Sequence, residues 1–245
     1  MFDLTGRTAL VTGAGQNVGA GIARALAGQG ATVAVNDLHE DRARAVADEI
    51  SVAGGRALVA PFDVTDLDAV RAGVAAVGDV DILVNNAGNG GERDLPVAPF
   101  RAMDPADWAG PIEVNLYGVL HCCKAVVDGM CERGWGRIIT ISSGAGTAGV
   151  RIGVSPYSAG KGAGIAFTRT LALEVARDGV TANTVAIGLM GLPDPDITAH
   201  LARSIPVGRT GTPADIGAAC VWLASDEAAW VTGQTIQVNG GSITT

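Results

Sequence analysis

The sequence has few aromatic residues and little charge, and each shortage excludes a class of function. Aromatic residues account for 4% of the 245 residues and charged residues for 17%, with a net charge of −8. Single-stranded nucleic acids bind to stacked aromatic side chains in a basic groove, which this composition opposes. The negative charge also opposes binding to anionic membranes, and no apolar run reaches membrane-spanning length. We therefore expect no nucleic-acid and no membrane partner.

Cysteine and histidine are also scarce, with four and three residues respectively. Their positions match no common metal-ligand spacing. The residues are Cys122, Cys123, Cys131, Cys220, His39, His121 and His200. We expect buried, reduced thiols, as is usual in the cytoplasm, and no metal. The first residues lack the basic and apolar regions of a signal peptide, so a cytoplasmic location is predicted.

Short β-prone runs alternate with amphipathic stretches along the whole chain. Strands are predicted at 8–12, 32–36, 56–62, 81–84, 137–142, 181–187 and 234–238. Helices are predicted at 22–27, 41–53, 67–77, 112–133, 156–177 and 213–225. This alternation predicts an α/β fold with a doubly wound parallel sheet of about seven strands. No linker divides the chain, so we expect one domain over 1–245, with a loop-like substrate segment at about 188–211.

A glycine-rich stretch lies directly between the first predicted strand and the first predicted helix. That arrangement aims backbone N–H groups at a diphosphate, with help from the helix dipole. The predicted contacts are Gly13, Gly15, Gln16, Asn17, Val18 and Gly19. The alternative is a plain connection between packed elements, but the position between strand and helix favours a dinucleotide site.

An acidic residue, Asp37, ends the second predicted strand and is followed by Leu38. A carboxylate at this place can accept hydrogen bonds from an adenosine ribose, and its charge repels a 2′-phosphate. The first basic residue afterwards is Arg42. The pattern therefore predicts NAD rather than NADP. The alternative is that Asp37 only caps the next helix.

Tyr157 and Lys161 are four residues apart and lie on the same side of a predicted helix. A tyrosine hydroxyl has an ordinary pKa of about 10, and a nearby ammonium group lowers it. The pair is thus a candidate acid/base for work near neutral pH. The pattern alone is weak and more typical of a half-buried tyrosine beside a surface lysine, so the rest of the chain decides.

Several short motifs occur together in one order along the chain. They are Thr12-Gly13 to Gly19, Asp63-Val64, Asn85-Asn86-Ala87-Gly88, Asn115, Ser143, Tyr157-x-x-x-Lys161 and Gly240-Gly241. With them, the sequence resembles the short-chain dehydrogenase/reductase family over essentially its whole length. The segment 206–241 is similar to the bacterial 3-oxoacyl-acyl-carrier-protein reductases in particular.

The resemblance implies a catalytic set of four residues. Tyr157 would exchange a proton with the substrate oxygen, and Ser143 would hydrogen-bond that oxygen. Lys161 would lower the pKa of Tyr157 and hold the nicotinamide ribose, and Asn115 would hold a water of the proton relay. The family's Ser-x-x-Gly pattern favours Ser143 over Ser142.

The resemblance also implies further cofactor contacts and an assembly. Asp63 and Val64 would contact the adenine. Other contacts would come from Leu38, Asn86, Ala87, Gly88, Gly188 and Met190, besides Tyr157 and Lys161 themselves. Helices 112–133 and 156–177 form the usual tetramer faces of the family, so a homotetramer is expected.

Three positions depart from the family pattern. Asn17 stands where glycine is usual, and asparagine is the residue other than glycine that best tolerates a left-handed backbone. Ile187 stands where proline is usual. Leu192 stands where a threonine would hold the nicotinamide carboxamide, so that end of the cofactor is held less firmly or from another residue.

The resulting hypothesis is an NAD(H)-dependent oxidoreductase that acts on a secondary alcohol or ketone. One alternative is an NADPH-dependent 3-oxoacyl thioester reductase, and another is a catalytically silent nucleotide-binding protein. The identity of the small-molecule substrate stays undecided. Loops near 91–94, 147–154 and 188–204 are expected to form the walls of its pocket, and loops vary more than the elements they connect. Arg93 and Arg151 could face an anionic substrate, although solvated surface positions explain them as well.

Overall fold

The strands and helices alternate as the sequence predicts, in a computed structural model that describes residues 1–90 and 94–244. Seven parallel strands form one sheet with the order β3-β2-β1-β4-β5-β6-β7. The strands are β1 (Thr8–Val11), β2 (Thr32–Val35), β3 (Arg56–Val59), β4 (Ile82–Asn85), β5 (Gly136–Ser143), β6 (Val180–Ile187) and β7 (Thr235–Val238). The expected doubly wound parallel sheet is confirmed.

The helices cover both faces of the sheet. They are α1 (Asn17–Gly28), α2 (Glu40–Val52), α3 (Leu67–Val77), α4 (Ala109–Ile112), α5 (Gly118–Glu132), α6 (Gly144–Thr147), α7 (Ser155–Val175), α8 (Pro195–Ala202) and α9 (Pro213–Ala224). A π-helical segment, Glu113–Tyr117, joins α4 to α5. Successive strand residues pack into opposite cores: Val11 lies with α1 and α9, whereas Leu10 lies with α3, α5 and α7.

The sheet reverses its winding at β1, which pairs with β2 on one side and β4 on the other. From there the chain winds outward to β3 in one direction and to β7 in the other. A crevice opens at the carboxyl ends of the strands beside such a reversal, and this is where ligands bind in doubly wound sheets. The fold therefore brings the ends of β1, β2, β4 and β5 to one cleft.

Helix α1 begins at Asn17, five residues before the expected start at residue 22. The glycines that suggested a longer turn lie inside the helix. Gly21 is needed there because a Cβ would come within 2.3 Å of Cβ of Pro213, which begins α9. The glycine thus permits α1 and α9 to pack closely.

The segment expected to be a loop at 188–210 contains helix α8, so that expectation was wrong for residues 195–202. Asp194 caps the helix by accepting the backbone N–H groups of Asp196 and Ile197. Pro195 occupies the first turn, where no backbone donor is needed. The proline that suggested a loop is therefore a helix start.

The cysteines are free thiols, and Cys122, Cys123 and Cys220 are buried as expected. Burial raises the pKa of Cys123 and of Cys220 to about 12. Cys131 is partly exposed. Within 1–90 and 94–244, no helix is long and apolar enough to cross a bilayer. The same residues hold no group of three or more potential metal ligands.

Candidate active site

Two asparagines from neighbouring strand ends hold the glycine-rich turn. Asn36 Oδ1 accepts the backbone N–H of Gly13 at 3.3 Å. Asn86 Nδ2 donates to the carbonyl oxygens of Thr12 and Gly13 at 2.8 and 3.0 Å. A Cβ at Gly13 would lie 2.9 Å from Cα of Ala87, so this position tolerates no side chain. The turn is thereby fixed against β2 and β4.

Asn17 adopts the left-handed conformation that its residue type favours, with φ of 47°. The expectation that the turn survives without glycine at this position is therefore confirmed. Helix α1, which starts here, has no side-chain cap at Gln16 and no acidic residue in its first turn. Its first backbone N–H groups and its dipole are suited to a diphosphate.

Asp37 is buried, with 6% of its surface exposed, and both carboxylate oxygens accept backbone N–H groups. Oδ2 accepts from Gly15 at 3.1 Å, and Oδ1 accepts from His39 at 3.0 Å. The alternative that Asp37 caps the next helix is wrong, because the residue before α2 is His39. Asp37 thus links the end of β2 to the glycine-rich turn, and Arg42 lines the same end of the cleft.

A cleft of about 760 Å³ runs from this turn to the tyrosine–lysine pair. Most of the predicted site residues line it: Gly13, Gln16, Asn17, Val18, Gly19, Asp37, Leu38, Asp63, Val64, Asn86, Ala87, Gly88, Tyr157 and Lys161. Its volume lies within the range of about 300–1,000 Å³ for cofactor pockets. The predicted residues Gly15, Asn115 and Ser143 do not line it. A Cβ at Gly13 or Gly15 would collide with Ala87, Arg42 or Asp37, so the turn packs closely against its neighbours. The residues that line the cleft fit a nicotinamide dinucleotide.

Tyr157 and Lys161 lie one turn apart near the start of α7. Lys161 Nζ donates to the carbonyl oxygen of Ile141 at 2.8 Å and lies 5.9 Å from the centroid of the Tyr157 ring. Burial lowers the pKa of Lys161 to about 8. Burial also raises the pKa of Tyr157, and the Ser143 hydroxyl acts in the opposite direction. The predicted lowering of the Tyr157 pKa by Lys161 is not seen in this geometry.

The structure distinguishes the two serines at the end of β5. Ser142 is buried and donates its hydroxyl proton to the carbonyl oxygen of Lys161 at 3.1 Å. Ser143 Oγ accepts the N–H of Ala145 at 3.1 Å and so caps α6. This contact leaves the proton of Ser143 for another acceptor. Ser143 is therefore the serine beside Tyr157 that can donate to a substrate oxygen.

Asn115 lies in the π-helical segment and is buried. Its Nδ2 donates to the carbonyl oxygens of Asn89 and Pro111, each at 2.7 Å. Its Oδ1 is buried and has no partner among the described residues. A Cβ placed on Gly88 would lie 2.9 Å from Asn115 Oδ1 and 2.9 Å from Lys161 Nζ. Asn115 and Lys161 therefore converge on Gly88.

Gly188 and Met190 lie apart from the large cleft. They line a separate cavity of about 160 Å³, and Met190 pairs with Gly211. Leu192 is half exposed, and its backbone N–H donates to Thr198 Oγ1. Ile187, by contrast, lines the large cleft. The structure thus does not bring the predicted contacts Gly188 and Met190 to the cleft that holds the other cofactor residues.

The structure describes one of the two expected substrate arginines, Arg151. Arg151 is exposed and does not line the cleft. Arg93 and most of the predicted 91–94 loop lie outside the described residues. Sequence reasoning also missed residues that the cleft contains: Asn36, His39, Arg42, Phe62, Thr65, Asn89, Ile141 and Ser142. Asn36, Phe62, Thr65 and Ser142 stand at or just after the ends of predicted strands, and that position was the available signal.

The comparisons with known proteins agree with this geometry. The family model described as enoyl-(acyl carrier protein) reductase matches residues 13–242. Among curated proteins, the BbsD subunit of (2S)-((R)-hydroxy(phenyl)methyl)succinyl-CoA dehydrogenase from Thauera aromatica is 40% identical over 250 residues. That alignment covers 98% of each chain.

Two crystal structures are similar over almost the whole chain. A 3-oxoacyl-acyl-carrier-protein reductase with bound NAD from Brucella melitensis has a TM-score of 0.93 and 33% identity, over 99% of this chain and 94% of that one. A gluconate 5-dehydrogenase from Burkholderia cenocepacia in complex with NADP and tartrate has a TM-score of 0.89 and 37% identity, over 98% and 96%. The similar proteins differ in both substrate and cofactor.

Proposed function

Because the chain belongs to the short-chain dehydrogenase/reductase family, an NAD(P)-dependent class of oxidoreductases that act on CH–OH groups, we propose that it moves a hydride between NAD(H) and a secondary alcohol or ketone, with Tyr157 as acid/base. The family resemblance inferred from the sequence is confirmed. The observation that carries the proposal is that Tyr157 and Lys161 line a dinucleotide-sized cleft, with Ser143 beside Tyr157 and with Asn115 and Lys161 converging on Gly88.

The proton chemistry is assigned to the side chains. During oxidation, the alcohol proton passes to the Tyr157 phenolate as the C–H hydride leaves, and reduction reverses both transfers. The nicotinamide, when bound, supplies the hydride acceptor or donor. Ser143 donates to the substrate oxygen and stabilises the charge that develops there. These roles account for why a tyrosine, a serine and a lysine are needed together.

Lys161 and Asn115 support Tyr157 in this proposal. Lys161 is assigned to favour the Tyr157 phenolate through its charge, with its ammonium group 5.9 Å from the Tyr157 ring. In this geometry the net shift of the Tyr157 pKa is upward, so the assignment requires a closer approach of the two groups during turnover. The Lys161 side chain is in the cleft, where it can reach the ribose hydroxyls of a cofactor. Asn115 is assigned to hold a water that continues the proton route from Lys161. Its buried Oδ1 has no partner among the described residues and could accept a hydrogen bond from that water.

We assign NAD as the preferred cofactor because of Asp37. Its buried carboxylate lies at the end of the cleft where an adenosine ribose would bind, and a 2′-phosphate there would meet a fixed negative charge. Arg42 lies at the same end and opposes this preference in part. The similar structures carry NAD in one case and NADP in the other, so the argument rests on this chain's own residues.

The second candidate is an NADPH-dependent reductase of 3-oxoacyl thioesters. The similarity to the Brucella melitensis 3-oxoacyl-acyl-carrier-protein reductase favours its substrate class, whereas the NAD bound in that structure does not favour NADPH. A titration of the enzyme with NADH and with NADPH, each followed by fluorescence of the reduced nicotinamide, separates the two cofactor choices. Tighter binding of NADPH than of NADH would overturn the assignment of NAD.

Turnover is tested by a spectrophotometric screen with NAD and NADH. The panel contains alcohols, sugars, hydroxy acids and 3-oxoacyl or 3-hydroxyacyl thioesters of coenzyme A. We expect turnover of at least one secondary alcohol or ketone, and loss of that turnover in Tyr157→Phe. Cofactor binding without turnover across the panel would favour the catalytically silent alternative.

We also propose a homotetramer, with α5 and α7 at the subunit contacts as the family resemblance implies. Two exposed apolar side chains support this: Tyr117 just before α5, and Leu173, which is 77% exposed, on α7. Light scattering coupled to gel filtration is expected to give about four times the chain mass of 24.6 kDa. A mass near 24.6 kDa would contradict the proposal.

A further inference from the structure

Asn89 has an unusual backbone conformation beside the catalytic residues. It follows Gly88 directly, and its φ is 69°, in the left-handed region. Only two other non-glycine residues of the described chain share a positive φ: Phe2 at the terminus and Asn17 in the cofactor turn. Asn89 is exposed and lines the cleft. Left-handed non-glycine residues are strained, so this conformation needs an explanation.

The left-handed backbone directs the carbonyl group of Asn89 at Asn115. The carbonyl oxygen accepts one N–H of Asn115 Nδ2 at 2.7 Å. The second N–H goes to Pro111, one turn earlier on the same helix, also at 2.7 Å. With both amide protons engaged, the plane of the Asn115 side chain is fixed. Asn115 Oδ1 then has a single direction in which to point.

Lys161 approaches the same place beside Gly88 as Asn115 Oδ1 does. Asn115 Oδ1 and Lys161 Nζ both lie 2.9 Å from the point where a Cβ of residue 88 would be. Oδ1 is a buried acceptor without a partner among the described residues, and an ammonium group is a donor with three protons. Gly88 leaves the space between them open. The amide orientation therefore matters to the charged group that supports Tyr157.

We propose that Asn89 is a positioning residue: its left-handed backbone carbonyl holds the Asn115 amide so that Oδ1 stays beside Lys161. The proposal rests on the proton route described under the proposed function. The Asn89 carbonyl performs this role, and its side chain does not. A role of the side chain in substrate binding is the competing explanation, since Asn89 lines the cleft.

Two substitutions separate these explanations. Glycine populates the left-handed region freely, so Asn89→Gly keeps the carbonyl in place and removes the side chain. Valine is β-branched and strongly disfavours positive φ, so Asn89→Val moves the carbonyl away. If the carbonyl is what matters, Asn89→Gly behaves as the wild type and Asn89→Val does not. If the side chain matters, both variants fail together.

The kinetic test uses acetoacetyl-coenzyme A with NADH, or another compound that the screen identifies. We expect kcat within about twofold of wild type for Asn89→Gly and at least about tenfold lower for Asn89→Val, with KM changed less than kcat. Circular dichroism confirms that both variants fold. Equal losses in both variants, or full turnover in Asn89→Val, would overturn the proposal.

A second readout needs no substrate. The chain has two lysines, Lys124 and Lys161. In a Lys124→Arg background, nuclear magnetic resonance of carbon-13-labelled lysine therefore reports the titration of Lys161 alone. We expect Asn89→Val to lower the titration midpoint of Lys161 by about half a pH unit or more, because a displaced Asn115 no longer stabilises the Lys161 charge. Asn89→Gly should leave the midpoint unchanged, and a shift common to both variants, or to neither, counts against the proposal.

Asn115→Ala, measured in parallel, keeps this inference separate from the proposed function. Retained turnover in Asn115→Ala would refute the proton route through Asn115. The Lys161 titrations of the Asn89 variants would still decide whether Asn89 positions Asn115.

Discussion

The ammonium group of Lys161 donates a hydrogen bond to the main-chain carbonyl of Ile141 at 2.8 Å, and only 8% of the surface of Lys161 is exposed. Among the described residues, Lys161 forms no ion pair. Burial accordingly lowers its pKa from 10.5 to about 8. A charge held in this way destabilises the folded state at neutral pH. The buried position of Lys161 therefore lowers the free energy of unfolding of the protein.

The first prediction concerns Lys161→Met. The folded-state pKa of Lys161 lies below the unfolded value, so the unfolded chain binds more protons between about pH 8 and 10.5, and the lysine makes stability rise with pH in that window. Methionine removes this dependence. At pH 7 we expect the variant to be more stable by up to about 3 kcal/mol, and inactive. Urea unfolding of the wild type and the variant at pH 7 and pH 9 measures the stability and its dependence on pH.

The chain contains one other lysine, Lys124, which provides the matched control. It is exposed on α5 and pairs with Asp128 four residues later. Exposed pairs of this kind contribute less than about 1 kcal/mol, so Lys124→Met should change neither the stability nor its pH dependence appreciably. An unchanged or lower stability of Lys161→Met at pH 7 would contradict the argument from burial.

The second prediction compares the two tyrosines. Tyr157→Phe removes the proposed proton donor, and we expect kcat to fall by about 10²- to 10⁴-fold while NADH still binds. Tyr117→Phe, at a half-exposed position, should keep its turnover if the subunits still assemble. Stopped-flow turnover and nucleotide fluorescence titrations measure the two properties separately. Full turnover in Tyr157→Phe would remove the tyrosine from the mechanism.

The third prediction compares two glycines. A Cβ on Gly15 would lie 2.6 Å from Arg42 Cβ and 2.6 Å from Asp37 Oδ2, whereas a Cβ on Gly28 meets nothing within 4 Å. We expect Gly15→Ala to weaken NADH binding at least about tenfold, because the turn must shift. Gly28→Ala, at the end of α1, should bind NADH normally and gain up to about 1 kcal/mol of stability. Normal NADH binding by Gly15→Ala would show that the glycine-rich turn accommodates a side chain at this position.

The fourth prediction concerns Asp37→Ala, which should affect stability as well as cofactor choice. The Gly15 and His39 amides lose the carboxylate that accepts them, and we expect a loss of about 1–3 kcal/mol in the nucleotide-free protein. NADH binding should weaken by about tenfold or more, and the preference over NADPH should shrink. Thermal unfolding and nucleotide titrations provide the measurements.

Asp41→Ala serves as the control for Asp37→Ala. Asp41 is exposed in the first turn of α2, away from those amides. Its loss should reduce stability by less than about 1 kcal/mol and leave cofactor preference unchanged. Equal effects of the two substitutions on stability and cofactor preference would mean that Asp37 acts only through the negative charge that both residues carry.

The residues that line the cleft at the ends of β1 and β2 could be predicted because they depend on residue type and position in the chain. Asp37 and the glycine-rich turn follow strands, and parallel strands bring their carboxyl ends to one edge. The left-handed backbone at Asn17 also follows from a residue preference. Each of these features is decided locally, within a few residues.

The features that could not be predicted depend on geometry without a sequence signal. Five residues, Glu113–Tyr117, are too few to distinguish a π-helical turn from an α-helical one by periodicity. The contact between Asn89 and Asn115 joins residues 26 positions apart through a backbone carbonyl, which carries no side-chain signature. Helix α8 was missed because a loop was expected at about 188–211, although Asp194 caps the helix and Pro195 suits its first turn.

The π-helical segment has a consequence for how this site can change. A π-helical turn contains one more residue than an α-helical turn, so the segment amounts to a one-residue insertion between α4 and α5. Deleting one residue would restore a continuous α-helix with α4 and α5 in nearly the same relative orientation, so the change would fall on the side chains inside the segment. Asn115 would then lose its relation to Asn89 and Pro111. The orientation of Asn115 is thus encoded in the length of the chain, where a scan of single substitutions would not detect it.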